Sequence, residues 1–236
     1  MQIIPAIDIL EGKVVRLRQG NFSQRRIYSD DPLSYAKYWQ KEGAKMLHLV
    51  DLDGAKTGNM KNLSIIKKIL NEITIPIQVG GGVNDESTII KLLNLNVARI
   101  ILGTVAMTNE VMLKNLLAKF KSKIIIGFDV RKEKIAVRGW QENIKDDVLS
   151  RAKSLERLGV GRLIYTDITK DGTLSTPNFK SIKKLVMAIK IPVIVSGGIS
   201  TVMDVKKIKK IGAEGVIIGK ALYEGKINLK EAINAG

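Results

Sequence analysis

Continuous apolar stretches, each about the length of a β-strand, recur eight times along the chain and alternate with more polar segments. They are rich in Val and Ile and mostly lack strict alternation, which is typical of parallel strands covered on both faces. The predicted strands span residues 1–8, 44–51, 75–80, 98–103, 123–129, 161–167, 191–197 and 214–219.

Apolar residues recur at helical spacing between these strands, for example in residues 31–43, 62–73, 85–96 and 146–159. Several such segments begin with Asp, Asn, Ser or Thr and some end at Gly, as helices prefer. Eight strand–helix units in 236 residues predict a single (β/α)8 TIM-barrel domain, residues 1–236. A doubly wound open sheet is the structural alternative. Residues 13–21 and 133–141 are predicted to be short β-extensions after strands one and five.

The chain repeats itself at a fixed offset of 116 residues. The matched pairs are Asp51 and Asp167, Pro76 and Pro192, Gly81 and Gly197, Gly82 and Gly198, and Gly103 and Gly219. Asp8 and Asp129 match at an offset of 121. An offset shared by several segments predicts two homologous half-barrels, approximately residues 1–120 and 121–236.

Aspartates end several of the predicted strands, where the active site of a (β/α)8 barrel forms. Asp8 and Asp129 end strands one and five, which lie opposite each other in an eight-strand ring. Their carboxylates are expected to face across the barrel mouth as a paired acid and base. Asp51 ends strand two and is a candidate substrate contact, with stabilisation of its own loop as the alternative.

Glycines follow strands three, four, seven and eight, where backbone N–H groups and helix starts can bind an oxyanion. They are Gly81, Gly82, Gly103, Gly197, Gly198 and Gly219. Two such places on opposite sides of the mouth predict a small substrate that carries a phosphate at each end. The alternative is that these glycines serve only tight turns.

Three further side chains are candidate substrate contacts. Arg16 could clamp a phosphate or lie on a solvated hairpin, and Trp140 could stack on a planar ring or plug the mouth. His48 is the only histidine and its matching position is Ile164, so it lines the barrel either as a site residue or as a structural one. No metal-ligand cluster or dinucleotide motif is present in the sequence, so no metal or cofactor is expected.

The chain carries a net charge of +16, which raises the question of nucleic-acid binding. Its lysines are spread over predicted helix faces and aromatic residues make up only 5% of the chain, so attraction of an anionic small molecule is favoured. A nucleic-acid-binding protein remains the alternative from another class. The absence of Cys, of a signal peptide and of a long apolar run predicts a cytoplasmic protein without a membrane partner. A monomer is expected, although these features do not determine the oligomeric state.

The motif set resembles one family along its whole length. It comprises "IPAIDILEGKVVRLRQG", "HLVDLDGAKTGN", "QVGGGV", "FDVRKEKIAVRGWQE", "YTDITKDGTLSTPN" and "VSGGIS". These segments are similar to the histidine-biosynthesis isomerases that act on phosphoribosylformimino-aminoimidazole-carboxamide ribotide (ProFAR). The resemblance implies a two-fold-repeated barrel, a bisphosphorylated substrate and a cofactor-independent Amadori rearrangement of an aminoaldose to an aminoketose.

The resemblance also implies roles for individual residues. Asp129 would be the general acid that opens the ribose ring, and Asp8 the base that removes the C2′ proton. Thr166, together with Asp171 and Gly172 in "KDGT", would position the substrate. One phosphate would bind at the first glycine site, defined as Gly81, Gly82, Gly103 and Thr104. The other would bind at the second glycine site, defined as Gly197, Gly198, Gly219 and Lys220.

The sequence departs from the family pattern at Thr176, where glycine is expected, in the loop after strand six. Two related activities remain open beside the isomerase. One is the cyclase subunit of imidazole glycerol phosphate synthase, whose barrel has the same repeat, aspartates and phosphate sites. The segments "RLRQG", "LVDLDGAKTG" and "RGW" favour the isomerase over it. The other is a bifunctional isomerase that also acts on phosphoribosyl anthranilate.

Overall fold

The structure, a computed structural model, describes residues 1–236 except for the side chain of Lys145. In chain order the strands are β1 (Gln2–Leu10), β2 (Lys13–Arg18), β3 (Asn21–Ser29), β4 (Leu47–Asp51), β5 (Ile77–Gly80), β6 (Arg99–Leu102), β7 (Ile124–Arg131), β8 (Lys134–Val137), β9 (Glu142–Asp147), β10 (Leu163–Asp167), β11 (Val193–Ser196) and β12 (Gly215–Ile218).

Eight of these strands form a closed parallel barrel. Around the ring they follow the order β1, β4, β5, β6, β7, β10, β11 and β12, and β12 pairs back onto β1. Each barrel strand overlaps one of the eight strands predicted from the apolar pattern. The (β/α)8 barrel is therefore confirmed, and ring closure excludes the open doubly wound sheet.

Helices connect the barrel strands and cover the outside of the ring. In chain order they are α1 (Pro32–Lys41), α2 (Leu52–Thr57), α3 (Leu63–Glu72), α4 (Glu86–Asn94), α5 (Thr104–Thr108), α6 (Glu110–Phe120), α7 (Val148–Arg157), α8 (Phe179–Ala188), α9 (Val202–Ile211), α10 (Lys220–Tyr223) and α11 (Leu229–Ala235), with a 3₁₀ turn at Lys121–Lys123. Across the described part of the chain, none of them has the length and apolarity needed to cross a membrane.

The predicted helix starts are borne out by capping hydrogen bonds. Asp31, Asp85 and Asp147 each accept a bond from a backbone N–H in the first turn of α1, α4 and α7. Asn62 precedes α3 but does not cap it; its amide is instead bound to Asp51 and Asp53. These caps satisfy N–H groups that a helix start leaves unpaired.

The two predicted β-extensions form as hairpins that continue barrel strands at the mouth. β2 and β3 extend β1, and β8 and β9 extend β7, all by antiparallel pairing. As a result β1 runs past Asp8 to Leu10, and β7 runs past Asp129 to Arg131. The two hairpins rise from opposite sides of the ring and wall the mouth.

Two layers of apolar side chains make the core. The larger lies between the strands and the helices and includes Leu47, Leu49, Ile77 and Val79. The smaller fills the inside of the barrel with residues such as Ile4, Ile125, Ile164, Ile194 and Ile217. Alternate residues of each strand face the two layers, so the barrel is packed below its mouth.

Candidate active site

A cavity of about 200 Å³ opens at the C-terminal ends of the barrel strands. Most residues predicted for the site line it: Asp8, Arg16, His48, Gly81, Gly82, Gly103, Thr104, Asp129, Trp140, Thr166 and Asp171. Residues separated by up to about two thirds of the chain therefore meet at one place, which is the position that this fold gives to active sites.

Asp8 faces the cavity from β1 and is paired with Arg16 from β2. Arg16 Nη1 lies 2.8 Å from Asp8 Oδ2, and the side chains are only 7% and 13% exposed. The antiparallel pairing of β1 with β2 sets Asp8 opposite Val15, which brings the next residue, Arg16, to the mouth. Arg16 Nη2 also lies 3.8 Å from Asp171 Oδ1. A buried cation thus stands between two carboxylates.

Asp129 faces the same cavity from β7, on the opposite side of the ring, and has a neutral partner. Trp140 Nε1 donates to Asp129 Oδ2 at 2.6 Å. Trp140 lies beyond the hairpin strand β8 and has a positive φ of 69°, which turns its indole back over the mouth. Thr166 on the neighbouring strand β10 is the register partner of Asp129 and lines the same cavity.

The two carboxyls have different electrostatic surroundings. Burial raises the pKa of Asp8 to about 6, an effect opposed by the Arg16 cation and reinforced by Asp171. Burial also raises the pKa of Asp129, opposed by hydrogen bonds from Trp140 and Thr166 rather than by a cation. The ion pair favours the charged form of Asp8, whereas Asp129 has a neutral hydrogen-bonding environment.

His48 lies at the floor of the cavity, one inward-facing position deeper on β4 than Val50, which pairs with Asp8. Burial and the nearby Arg16 cation lower the pKa of His48 to about 3, so its imidazole is neutral at physiological pH. Its Nδ1 lies 2.9 Å from Nε2 of Gln78 on β5. Asp8 and Asp129 thus lie on opposite sides of the cavity, and the neutral imidazole of His48 lies at its floor.

The first glycine site forms one wall of the main cavity. Gly81 and Gly82 have φ values of 96° and 77°, which side chains rarely adopt. A Cβ on Gly81 would lie 2.1 Å from the carbonyl oxygen of Asp51, so no side chain fits there. The Thr104 hydroxyl accepts a hydrogen bond from the backbone N–H of Arg138 at 2.8 Å, which ties this wall to the hairpin after β7.

The second glycine site lines a separate recess of about 20 Å³, together with Arg16, Asp171 and Gly172. Gly197 and Gly198 have φ values of 91° and 79°, close to those of their counterparts in the first site. The Arg16 guanidinium covers Gly219 so closely that a Cβ there would lie 2.1 Å from Nη2. The recess has room for about one water molecule, so a phosphate enters only if Arg16 shifts.

Gly172 and Lys220 link the second site to its surroundings. Lys220 Nζ donates to the carbonyl oxygen of Gly172 at 3.0 Å. Gly172 has a φ of 66°, and a Cβ there would lie 2.1 Å from the carbonyl oxygen of Leu17 on β2. Thr176 does not have a positive φ, so its side chain is compatible with the loop where the family pattern expects glycine.

Asp51 is the predicted site residue that lines neither cavity, and its assignment as a substrate contact is revised. It is 0% exposed, and its carboxylate caps α2 by accepting from the backbone N–H of Gly54 at 2.8 Å. It also accepts from the backbone N–H groups of Lys61 and Asn62 and from the Asn62 amide. With four hydrogen bonds in place, its oxygens are occupied by the protein, and the loop-stabilising alternative describes it.

Several cavity residues escaped prediction from the sequence. Gly20 and Arg138 line the mouth from the two hairpins, and a Cβ on Gly20 would lie 1.9 Å from the Trp140 ring. The segments "RLRQG" and "RGW" contain these two residues, but their place at the mouth depends on how two distant hairpins meet. Gln78, which does not line the cavity but contacts His48, did carry a signal, since it is a polar residue inside the apolar run "IPIQV".

Comparison with known proteins agrees with this geometry. Residues 2–228 match the family model described as "Histidine biosynthesis protein". Three relatives are each named as the isomerase of 1-(5-phosphoribosyl)-5-((5-phosphoribosylamino)methylideneamino)imidazole-4-carboxamide. The relative from Dehalococcoides mccartyi is 49% identical over 98% of both chains. Those from Clostridium botulinum and Gloeothece citriformis are 46% and 45% identical, covering 99% and 100% of this chain and 96% and 93% of their own. The chain belongs to the histidine biosynthesis protein family.

Proposed function

We propose that this chain is an aldose–ketose isomerase of histidine biosynthesis that converts ProFAR to its aminoketose by an Amadori rearrangement. The observation that carries this proposal is the aspartate pair. Asp8 and Asp129 face one cavity from opposite strands, one beside a buried cation and the other beside neutral donors. The names of the relatives support the same reaction.

Asp129 acts first, as the general acid. It donates a proton to the ring oxygen of the ribose as the bond from that oxygen to C1′ breaks, and the attached nitrogen forms a protonated Schiff base. A carboxyl with a pKa raised by burial and no adjacent cation is suited to hold that proton. The Trp140 and Thr166 hydrogen bonds then stabilise the carboxylate that remains.

Asp8 acts second, as the base. It removes the proton from C2′, and the electron pair moves into a C1′–C2′ double bond while the Schiff base becomes an amine. Loss of the 2′-hydroxyl proton and protonation of C1′ then give the ketone, so no atom is gained or lost overall. With a pKa of about 6, Asp8 is mostly ionised at neutral pH.

We further propose that the glycine sites bind the two phosphates and that the chain is one domain of two homologous half-barrels, approximately residues 1–120 and 121–236. The matched φ values of Gly81 and Gly197, and of Gly82 and Gly198, support this assignment. β5 and β6 stand opposite β11 and β12 in the ring, so the substrate would span the aspartate pair. Sulfate soaked into crystals should occupy both sites, and occupancy of only one would contradict the two-phosphate assignment.

The partner proposed for this site is the bisphosphorylated small molecule alone. The net charge of +16 attracts such an anion, so KM should rise with ionic strength. We also propose that the protein is a monomer without nucleic-acid or membrane partners. We place it in the cytoplasm, and the absence of Cys is compatible with such a reducing compartment. Light scattering at working concentration and salt-dependent binding to a DNA duplex check the first two points.

The decisive experiment is a turnover assay with ProFAR on wild type, Asp8→Asn and Asp129→Asn. We expect each variant to lose at least about a hundredfold in kcat, the scale for removal of a general acid or base. Asp31→Asn, which changes an exposed helix cap, is the matched control and should retain wild-type turnover. An inactive wild type, or near-normal rates in both site variants, would overturn the proposal.

A second substrate separates the isomerase from the cyclase alternative. Wild type that ignores ProFAR but consumes the aminoketose with ammonia, or that copurifies with a glutaminase, would identify the cyclase. Turnover of phosphoribosyl anthranilate in the same assay would extend the specificity without changing the mechanism, because that reaction is also an Amadori rearrangement.

A further inference from the structure

A buried polar pair inside the barrel breaks the correspondence between the two halves. His48 on β4 and Gln78 on β5 are register partners that face the inside of the ring. The positions 116 residues later are Ile164 and Ile194, which are register partners on β10 and β11 and pack in the apolar barrel core. Corresponding positions on the barrel strands are therefore occupied by two polar side chains in the first half and by two isoleucines in the second.

The polar pair is expected to stabilise the folded state less than an apolar pair would. Gln78 is 0% exposed, and its Oε1 has no hydrogen-bond partner among the described residues. A buried amide oxygen without a partner costs free energy, and two isoleucines fill the equivalent space in the other half without that cost. Buried unpaired groups are rare in native proteins, and a role in catalysis is one reason that such a group is retained.

The orientation of the Gln78 amide, with its nitrogen towards the imidazole, indicates which imidazole nitrogen carries the proton. Gln78 Nε2 lies 2.9 Å from His48 Nδ1, and an amide nitrogen can only donate. Nδ1 is then the acceptor, so the proton of the neutral imidazole is on Nε2. Because His48 lines the cavity while Gln78 does not, Gln78 acts only through His48.

We propose that Gln78 is a positioning residue that holds His48 as a neutral Nε2–H donor to the 2′ oxygen of the sugar that is isomerised. The inference rests on the proposed isomerase function. Asp8, the base that removes the C2′ proton, lies on the neighbouring strand one inward position above His48. The oxygen on C2′ is therefore within the part of the cavity that His48 faces. A fixed donor there stabilises this oxygen as it gains negative charge.

The single histidine makes the proposed tautomer directly observable. We would label the protein with ¹⁵N-histidine, remove any affinity tag and record the imidazole ¹⁵N shifts between pH 5.5 and 8. A pyridine-type Nδ1 and a pyrrole-type Nε2 that do not titrate are expected, and Gln78→Met should populate the other tautomer. A proton on Nδ1 in wild type, or an unchanged spectrum in Gln78→Met, would overturn the inference.

Kinetics separate positioning from packing. For Gln78→Met we expect kcat to fall about tenfold with less than about a twofold change in KM, the effect of losing one well-placed hydrogen bond. Ile194→Met places the same side chain at the matching position of the other half, outside the cavity, and should keep kcat within about twofold of wild type. Equal losses in the two variants would indicate a packing effect and contradict positioning.

Two more variants sharpen the test. Gln78→Glu replaces the amide donor by an acceptor, so it should lower kcat at least as much as Gln78→Met. The double variant His48→Ile/Gln78→Ile copies the isoleucine pair of the other half. It should melt no lower than wild type yet lose about a hundredfold in kcat. Full activity of either variant would overturn the proposal, whereas an inactive wild type would instead count against the isomerase function itself.

Discussion

Residues 1–120 and 121–236 contain matching glycine turns but surround them with different side chains. Gly81 and Gly197 have φ values of 96° and 91° and pack on the carbonyl oxygens of the corresponding residues Asp51 and Asp167. The two cavity carboxyls differ, because Asp8 has a buried Arg16 beside it, whereas its counterpart Asp129 has the Trp140 indole. The matched turns have the same backbone geometry, whereas the unlike neighbours suit the two carboxyls to the two roles proposed above.

The largest expected effect is a loss of folding stability at the two matched glycine turns. Gly81→Ala and Gly197→Ala force a side chain into a positive-φ position, where Cβ would lie 2.1 Å and 2.5 Å from a backbone oxygen. Each should lower the free energy of unfolding by about 4 kcal/mol or more, with Gly81→Ala the worse. Urea unfolding measures the loss, and Gly103→Ala is the control because no atom lies within 4 Å of its Cβ position. A small loss of unfolding free energy in Gly81→Ala or Gly197→Ala would contradict the equivalence of the two glycine turns.

A smaller effect is expected at the strand-end aspartates, where the halves differ. Asp51 accepts four hydrogen bonds and is 0% exposed, whereas Asp167 is 7% exposed and accepts from the N–H and hydroxyl of Thr169. Asp51→Ala should cost about 3 kcal/mol of unfolding free energy and Asp167→Ala about 1 kcal/mol, because more buried donors lose their partner in the first case. Equal losses in urea unfolding would show that the two aspartates stabilise the fold equally.

A gain in thermal stability at neutral pH is expected when either Asp8 or Asp129 is neutralised. Burial raises the pKa of Asp129 in the folded state, so its contribution to stability is present at low pH and is lost as pH rises through the folded pKa. Asp129→Asn should therefore raise Tm at pH 7 by about 2–4 °C, and the gain should vanish below about pH 4. The pKa of Asp8 is raised as well, to about 6 despite the Arg16 cation, so Asp8→Asn should also raise Tm at pH 7, and this gain should likewise vanish below about pH 4. Thermal melts across pH test both statements.

The smallest expected effect lies in the pH dependence of kcat/KM. Activity should rise with pH through about 6 as Asp8 ionises, and fall as pH rises through the raised pKa of Asp129. Arg16→Met removes the cation that lowers the pKa of Asp8, so the acid limb should move to higher pH. Trp140→Phe removes a hydrogen bond that lowers the pKa of Asp129, so the alkaline limb should move to higher pH instead. If the same limb of the pH profile moved in Arg16→Met and in Trp140→Phe, the assignment of Asp8 as the base and Asp129 as the acid would be wrong.

Much of the fold and part of the site could be predicted from the local pattern of residues in the sequence. The eight apolar runs became the eight barrel strands, and their order along the chain was enough to predict Asp8 and Asp129 at the mouth. The repeat located the glycine turns, because a positive φ with close backbone contact leaves glycine as the residue that fits. These features depend on residue type and spacing, which the chain carries locally.

Tertiary contacts decided what each side chain does. Asp51 and Asp129 both end barrel strands, yet Asp51 is sealed under a loop by Asn62 while Asp129 opens to the cavity under Trp140. Gln78 is only an irregularity in an apolar run until strand pairing places it beside His48. The sequence by itself determined the barrel, the aspartate pair and the glycine turns. The structure alone decided burial, charge pairing and tautomer, because these depend on the distance between groups that are far apart along the chain.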